Sequence, residues 1–219
     1  MNKIIEEFKN LKKEDRIMFF LVFTTIGNVL MAIVKFVLSL TLPSLWFFIN
    51  AIFMIILSIA RVFSIRDYRK TKLIKNIVEI QQIGYKNYLN NGILLIVLGI
   101  MYFFVNVYIY YQGTKTTMYE YLTYLVALFA FWSISSAIYG IIKYKRNHTP
   151  ILKAVKITNF ANALTSIMLT QIVLLDTYAK TEFYNSNLMN GLTGMSIGIV
   201  IIILGLYMII GIKKIEMVD

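Results

Sequence analysis

The sequence predicts an all-α polytopic membrane protein, a bundle of six transmembrane helices with N- and C-termini cytoplasmic. Three observations lead there. Hydrophobic residues make up 58% of the 219-residue chain. They gather into six apolar runs, each near the roughly 20 residues that a helix needs to cross hydrocarbon. Of the 22 lysines and arginines, all but Lys35, Lys115 and Lys180 then fall on one side. Cytoplasmic loops beside spans are enriched in Lys and Arg, so this bias sets the orientation.

Residues 1–16 read as an amphipathic segment on the inner leaflet. Ile4, Phe8 and Leu11 share a stripe, and Lys3, Lys9, Lys12 and Lys13 are free to meet headgroups. Glu6, Glu7, Glu14 and Asp15, with the long apolar run behind them, argue against a secretory signal. The first span covers 17–40, and Thr41, Leu42, Pro43 and Ser44 form an outer turn. The second covers 45–62, with Trp46, Phe47 and Phe48 at interface depth and Arg61, Arg66, Arg69 and Lys70 closing it inside. A second amphipathic inner segment is expected over 64–90. Leu73, Ile77, Ile80, Gly84 and Tyr88 follow one face there, and Lys72, Lys75, Glu79, Gln82 and Lys86 another.

The third and fourth spans cover 91–111 and 119–142. Tyr108, Tyr110, Tyr111, Tyr119, Tyr121 and Tyr124 gather at their outer turn as an aromatic belt. Lys143, Lys145, Arg146, Lys153 and Lys156 mark the next inner loop, and the fifth span covers 155–175. An outer loop with Asp176, Lys180 and Glu182 leads to the sixth span, 190–212, stopped by Lys213 and Lys214. Gly191, Gly194 and Gly198 lie on adjoining turns and permit close helix approach, which makes a homodimer a candidate assembly. So little chain lies between spans that residues 1–219 form one membrane domain.

Composition narrows the function classes. The net charge of +11 sits beside spans, which implies a bilayer with anionic inner-leaflet lipids as partner and no nucleic acid. With no cysteine and one histidine, His148, disulfides, thiol redox chemistry and Cys-rich zinc sites are excluded. There is no H-E-x-x-H, no Walker lysine and no paired carboxylate within one span, and the lone histidine is in a loop. The chain is therefore expected not to be an enzyme, and to need no cofactor. Its wealth of Lys, Ile and Asn hints at an AT-rich bacterial genome, and the expected location is a bacterial plasma membrane.

Polar groups in hydrocarbon are costly unless partnered, so those inside spans mark the bundle interior. Span five is richest: Thr158, Asn162, Thr165, Ser166, Thr170 and Gln171 share one side, with Asn159 nearby. Span one adds Asn28, Lys35 and Ser39, and span two Asn50 and Ser58. Lys35 lies about 28 Å along a helix from Arg16 and is expected to snorkel to the outer interface. No carboxylate lies deep in any span. Asn28, Asn50, Thr158, Asn162, Ser166 and Thr170 are the expected substrate-binding residues, along an uncharged path, with no metal site. Neutral oxygens on Asn50, Thr158 and Asn162 also suit a monovalent cation.

The run Gly27-Asn28-Val29-Leu30-Met31-Ala32-Ile33-Val34-Lys35, followed by Ser44-Leu45 and Asn50-Ala51, resembles the opening of the cation diffusion facilitator transporters. The span-five pattern of that family, His-x-x-x-Asp-x-x-x-Ser, is matched in spacing by Thr158, Asn162 and Ser166. The resemblance, centred on residues 24–62 and 155–170, implies a shared six-span fold with both ends inside. The family's metal ligands fall here on Phe53, Leu57, Thr158 and Asn162, so the resemblance implies the fold without its zinc or manganese site. The expected function is binding or movement of a small polar solute by a transporter-like membrane protein. The alternative is a non-transporting assembly or accessory protein with a degenerate cation-efflux-like fold.

The orientation is open to direct test. On intact cells, a membrane-impermeant amine reagent should modify Lys115 and Lys180 and spare the lysines of the basic side. Protection of those two would invert the arrangement.

Overall fold

In hydrocarbon a backbone N–H has no water to bond, so each apolar segment must satisfy its own backbone, as a helix does. The computed structural model describes residues 13–41, 45–113, 120–143, 149–178 and 186–216, and every regular element among them is a helix. These are α1 (Lys13–Thr41), α2 (Leu45–Thr71), α3 (Ile77–Gln112), α4 (Glu120–Lys143), α5 (Pro150–Tyr178) and α6 (Ser186–Glu216). Residues 1–12 of the expected amphipathic segment, the outer turn at 42–44, Lys115, Tyr119, Lys145, Arg146, His148, Lys180 and Glu182 lie outside the described residues.

Four stretches, Met18–Thr41, Trp46–Thr71, Ile77–Gln112 and Ser186–Ile212, are long and apolar enough to cross a membrane. Their outward faces carry residues such as Phe19, Phe23, Leu30, Ile33, Phe104 and Ile203, exposed as no water-soluble surface of this extent would be. The chain is an integral, multi-pass membrane protein. In α5, Asn159, Asn162, Thr165, Ser166, Thr170 and Gln171 dilute the apolar character.

The interval 64–90 is not a separate amphipathic segment. Residues 64–71 finish α2, and residues 77–90 open α3, a single helix of 36 residues. At 1.5 Å per residue α3 is about 54 Å long, well beyond the ~30 Å of hydrocarbon. Nothing in Gln82–Asn90 breaks a helix, so the segment continues past the apolar run. The break comes at Asn76, whose side chain accepts from Val78 N–H at 3.1 Å and caps α3. Gly113 ends the same helix at φ +77, its N–H donating to the Ile109 carbonyl at 2.8 Å. At the tip of this hairpin Leu73 is 87% exposed, so the expected apolar face turns outward there. It turns inward only at Gly84 and Tyr88.

The most extensive helix contact joins α3 and α6, which run antiparallel. Gly92 and Gly99 on α3 meet Gly205 and Gly198 on α6, and Gly191 lies against Tyr110. A Cβ on Gly99 would sit 2.9 Å from the Ile202 nitrogen and 3.0 Å from the Gly198 carbonyl oxygen. Small residues let the two backbones approach in this way. The glycine face of α6, read from sequence as a surface for a second copy, is thus covered by the chain's own α3. Beside this seam α2 and α5 complete the core: Phe53 packs on Tyr102 with ring centroids 5.5 Å apart, among Leu57, Leu95, Leu98, Met168 and Ile201. The outer helices are held differently, α1 chiefly by α2 and α4 chiefly by α5.

Gly99→Ala should lower thermal stability by on the order of 1–3 kcal/mol, because backbone atoms cannot move aside for the methyl group. Gly211→Ala, which meets nothing within 4 Å, should be neutral. Thermal unfolding in detergent checks the pair, and equal effects would discount the seam.

Candidate functional site

The two peripheral helices leave a gap against the core, and polar stripes line it. On α1, Thr24, Asn28, Met31 and Lys35 follow one face at helical spacing. On α5, Asn159, Asn162 and Ser166 do the same, with Ser133 of α4 and Met54 and Arg61 of α2 closing the sides. They bound a cavity of about 300 Å³, at the lower end of small-molecule sites. Phe23, 69% exposed, and Trp132, 68% exposed, stand at its rim between α1 and α4.

The cavity is cationic. Arg61 is 3% exposed and Lys35 4% exposed, and both line it. In the amide orientation that satisfies both groups, the Asn28 oxygen accepts from Arg61 Nη1, and from Nη2 at 3.1 Å. The Arg61 Nε has no partner. No Asp or Glu lines the cavity among the described residues. Asn162 Nδ2 donates to Ser133 Oγ at 3.2 Å, tying α5 to α4, while Asn162 Oδ1 and Asn159 Oδ1 are buried without a donor.

The six expected binding residues divide evenly. Asn28, Asn162 and Ser166 line the cavity. Ser166 Oγ donates to the Asn162 carbonyl at 3.0 Å. Asn50 is buried, with Nδ2 on the Trp46 carbonyl at 3.2 Å, and is not among the lining residues. Thr170 donates to the Ser166 carbonyl at 3.1 Å. Thr158 belongs to a different set. Its hydroxyl donates to the Ala154 carbonyl at 2.8 Å and reaches Asn91 Oδ1 at 3.4 Å. Asn91 and Ser64 both donate to Asn87 Oδ1 at 3.1 Å, and Asn87 Nδ2 donates to Asp67 at 2.7 Å. This network bolts α2, α3 and α5 together. Gln171, further along the α5 stripe, donates to Thr193 Oγ1 at 3.0 Å and so reaches α6.

Two expectations are corrected. Lys35 does not snorkel outward: it lies in line with Asn28 and points into the bundle. Arg61 is not a solvated cap on span two, because α2 runs on for ten residues to Thr71. The path is therefore charged, and of the three residues considered for a monovalent cation only Asn162 lines it. The signal for both residues was spacing: Asn28 and Lys35 are seven apart, as are Met54 and Arg61. Phe53 and Leu57, at the resembling family's ligand positions, are packed in the apolar core.

A motif-like spacing in α6, Gly194-Met195-Ser196-Ile197-Gly198, has the form of a nucleophile elbow. It is uninterrupted helix, with exposed Ser196 donating to the Leu192 carbonyl at 2.9 Å, so its glycines serve the seam. A second concavity, about 550 Å³, lies between α2 and α3 near Arg66, Asp67, Lys70 and Lys86. No protein-family model matches this chain, and no curated protein matches it.

A buried charge without a counter-ion destabilises the empty fold. Lys35→Met should therefore stabilise the ligand-free protein, by about 1 kcal/mol or more. A rise in unfolding temperature in detergent is the expected result. A fall would mean that the amine is satisfied within the protein.

Proposed function

We propose that this chain is a six-span plasma-membrane protein of transporter-like arrangement that binds, and moves, a small polar solute through the cavity between α1, α2, α4 and α5. The observation that carries the reading is the cavity itself, a pocket lined by three amides, three hydroxyls and two cations inside a lipid-facing bundle. Three of its buried atoms, Arg61 Nε, Asn159 Oδ1 and Asn162 Oδ1, lack a partner within the protein and share this one space, where a solute would meet them. The six-span count is supported by the position of α5, which packs against α2, α3 and α6, three helices long and apolar enough to cross a membrane. The lysine and arginine bias supports cytoplasmic termini. The basic concavity by Arg66, Lys70 and Lys86 supports contact with anionic inner-leaflet lipids.

The resemblance to cation diffusion facilitators supports the arrangement, since the cavity joins α2 and α5. It does not extend to a metal cargo, because Lys35 and Arg61 repel a metal ion.

The chain has no cysteine, so a single introduced thiol reports its own surroundings. In purified Ser166→Cys protein, a small neutral thiosulfonate should react readily, while Met168→Cys, in the core at 0% exposure, should resist. If both resist, the cavity is closed to solutes and the reading fails.

A further inference from the structure

Neither cation in the cavity faces a carboxylate among the described residues. Arg61 is held on one edge by Asn28 and keeps a buried Nε without a partner. Charge at that depth is stable only when something of opposite sign shares the site. A guanidinium presents paired donors that match a planar carboxylate or a phosphate, and an ammonium adds a point charge. Across the cavity, Asn159 Oδ1 and Asn162 Oδ1 are buried acceptors that lack a donor.

From this juxtaposition we infer that the cavity takes an anion: a phosphate or carboxylate group set between Arg61 and Lys35, on a molecule whose hydroxyl, amine or protonated oxygen donates to Asn159 and Asn162. The inference rests on the solute-binding reading and narrows its cargo to one sign of charge. Lys35 lies seven residues from Asn28, about 10 Å along α1, so the positive field covers the length of a small molecule. A volume of about 300 Å³ holds a headgroup with a few carbons. The same headgroup chemistry occurs on a free anion and on an anionic lipid. The exposed rim of Phe20, Phe23 and Trp132 leaves room for an acyl chain between α1 and α4.

The test uses full-length Ser166→Cys protein in detergent with two thiosulfonates of similar size, one sulfonate-bearing and one trimethylammonium-bearing. Rates are normalised to those of a small thiol in solution. The anionic reagent should label about tenfold faster than the cationic one, since a cleft of one sign concentrates its counter-ion. Arg61→Gln and Lys35→Gln should each cut that preference severalfold. Arg61→Lys and Lys35→Arg should keep it, and they supply the comparison if the glutamine variants do not fold. Added inorganic phosphate, acetate, dioctanoyl phosphatidate and dioctanoyl phosphatidylcholine separate the sources. Slowing by phosphate or acetate marks a free anion; slowing by phosphatidate alone marks a lipid headgroup. Equal rates for the two reagents, or equal protection by phosphatidylcholine, would overturn the inference. If the neutral reagent labels Ser166→Cys and the charge preference is absent, only the anion is lost. If the neutral reagent does not label it, the cavity reading falls first.

Discussion

A polar group inside hydrocarbon has no water to fall back on, and every feature of this bundle answers to that constraint. It forces the backbone into helices and makes each amide, hydroxyl or charge inside a span a matter of partners. It also removes the drive that would pull apolar helices together, because lipid is as apolar as leucine. Close fit has to replace it. The α3–α6 seam supplies that fit, with Gly92 and Gly99 against Gly205 and Gly198. Around this pair α2 and α5 are held by aromatic packing and by the Ser64, Asn87, Asn91 and Thr158 network.

The same frame explains where the cavity lies. The seam is closed by backbone contact and leaves no space for a ligand. The helices α1 and α4 each depend mainly on one neighbour, so the space between them need not close. At the basic end, α1 is tied down by Asp15, which accepts from Tyr68 at 2.9 Å and pairs with Lys72. The cavity thus sits between a rigid half and two more loosely held helices, which is the geometry that lets a site open without unfolding its core.

The apolar runs were legible because burial in lipid demands long uninterrupted hydrophobicity. Helix ends were less so: α2 and α3 continue beyond the hydrocarbon, since charged residues such as Arg66 and Lys86 are good helix formers. The glycines of α6 announce a close approach without naming the partner: Gly198 and Gly205 meet Gly99 and Gly92, which share their seven-residue interval. The direction of Lys35 is hidden in the sequence for a related reason. Its distance along α1 gives depth, and depth alone permits snorkelling. Which way it points depends on its azimuth, shared with Asn28, and on the gap that α4 and α5 leave beside it.

The polar stripe of α5 holds the distinction on which the functional argument turns. Thr158 donates to its own helix and reaches Asn91 of α3 at 3.4 Å, and Gln171 bonds to α6. Between them Asn162 satisfies its nitrogen through Ser133 and leaves its oxygen bare, one turn from Asn159 in the same state. Each bond left open on this stripe costs stability in the empty protein. The open ones are confined to the stretch facing Arg61 and Lys35. The anion proposed for this cavity would answer both the open acceptors and the two cations that face no carboxylate among the described residues, whereas a neutral solute would answer only the first.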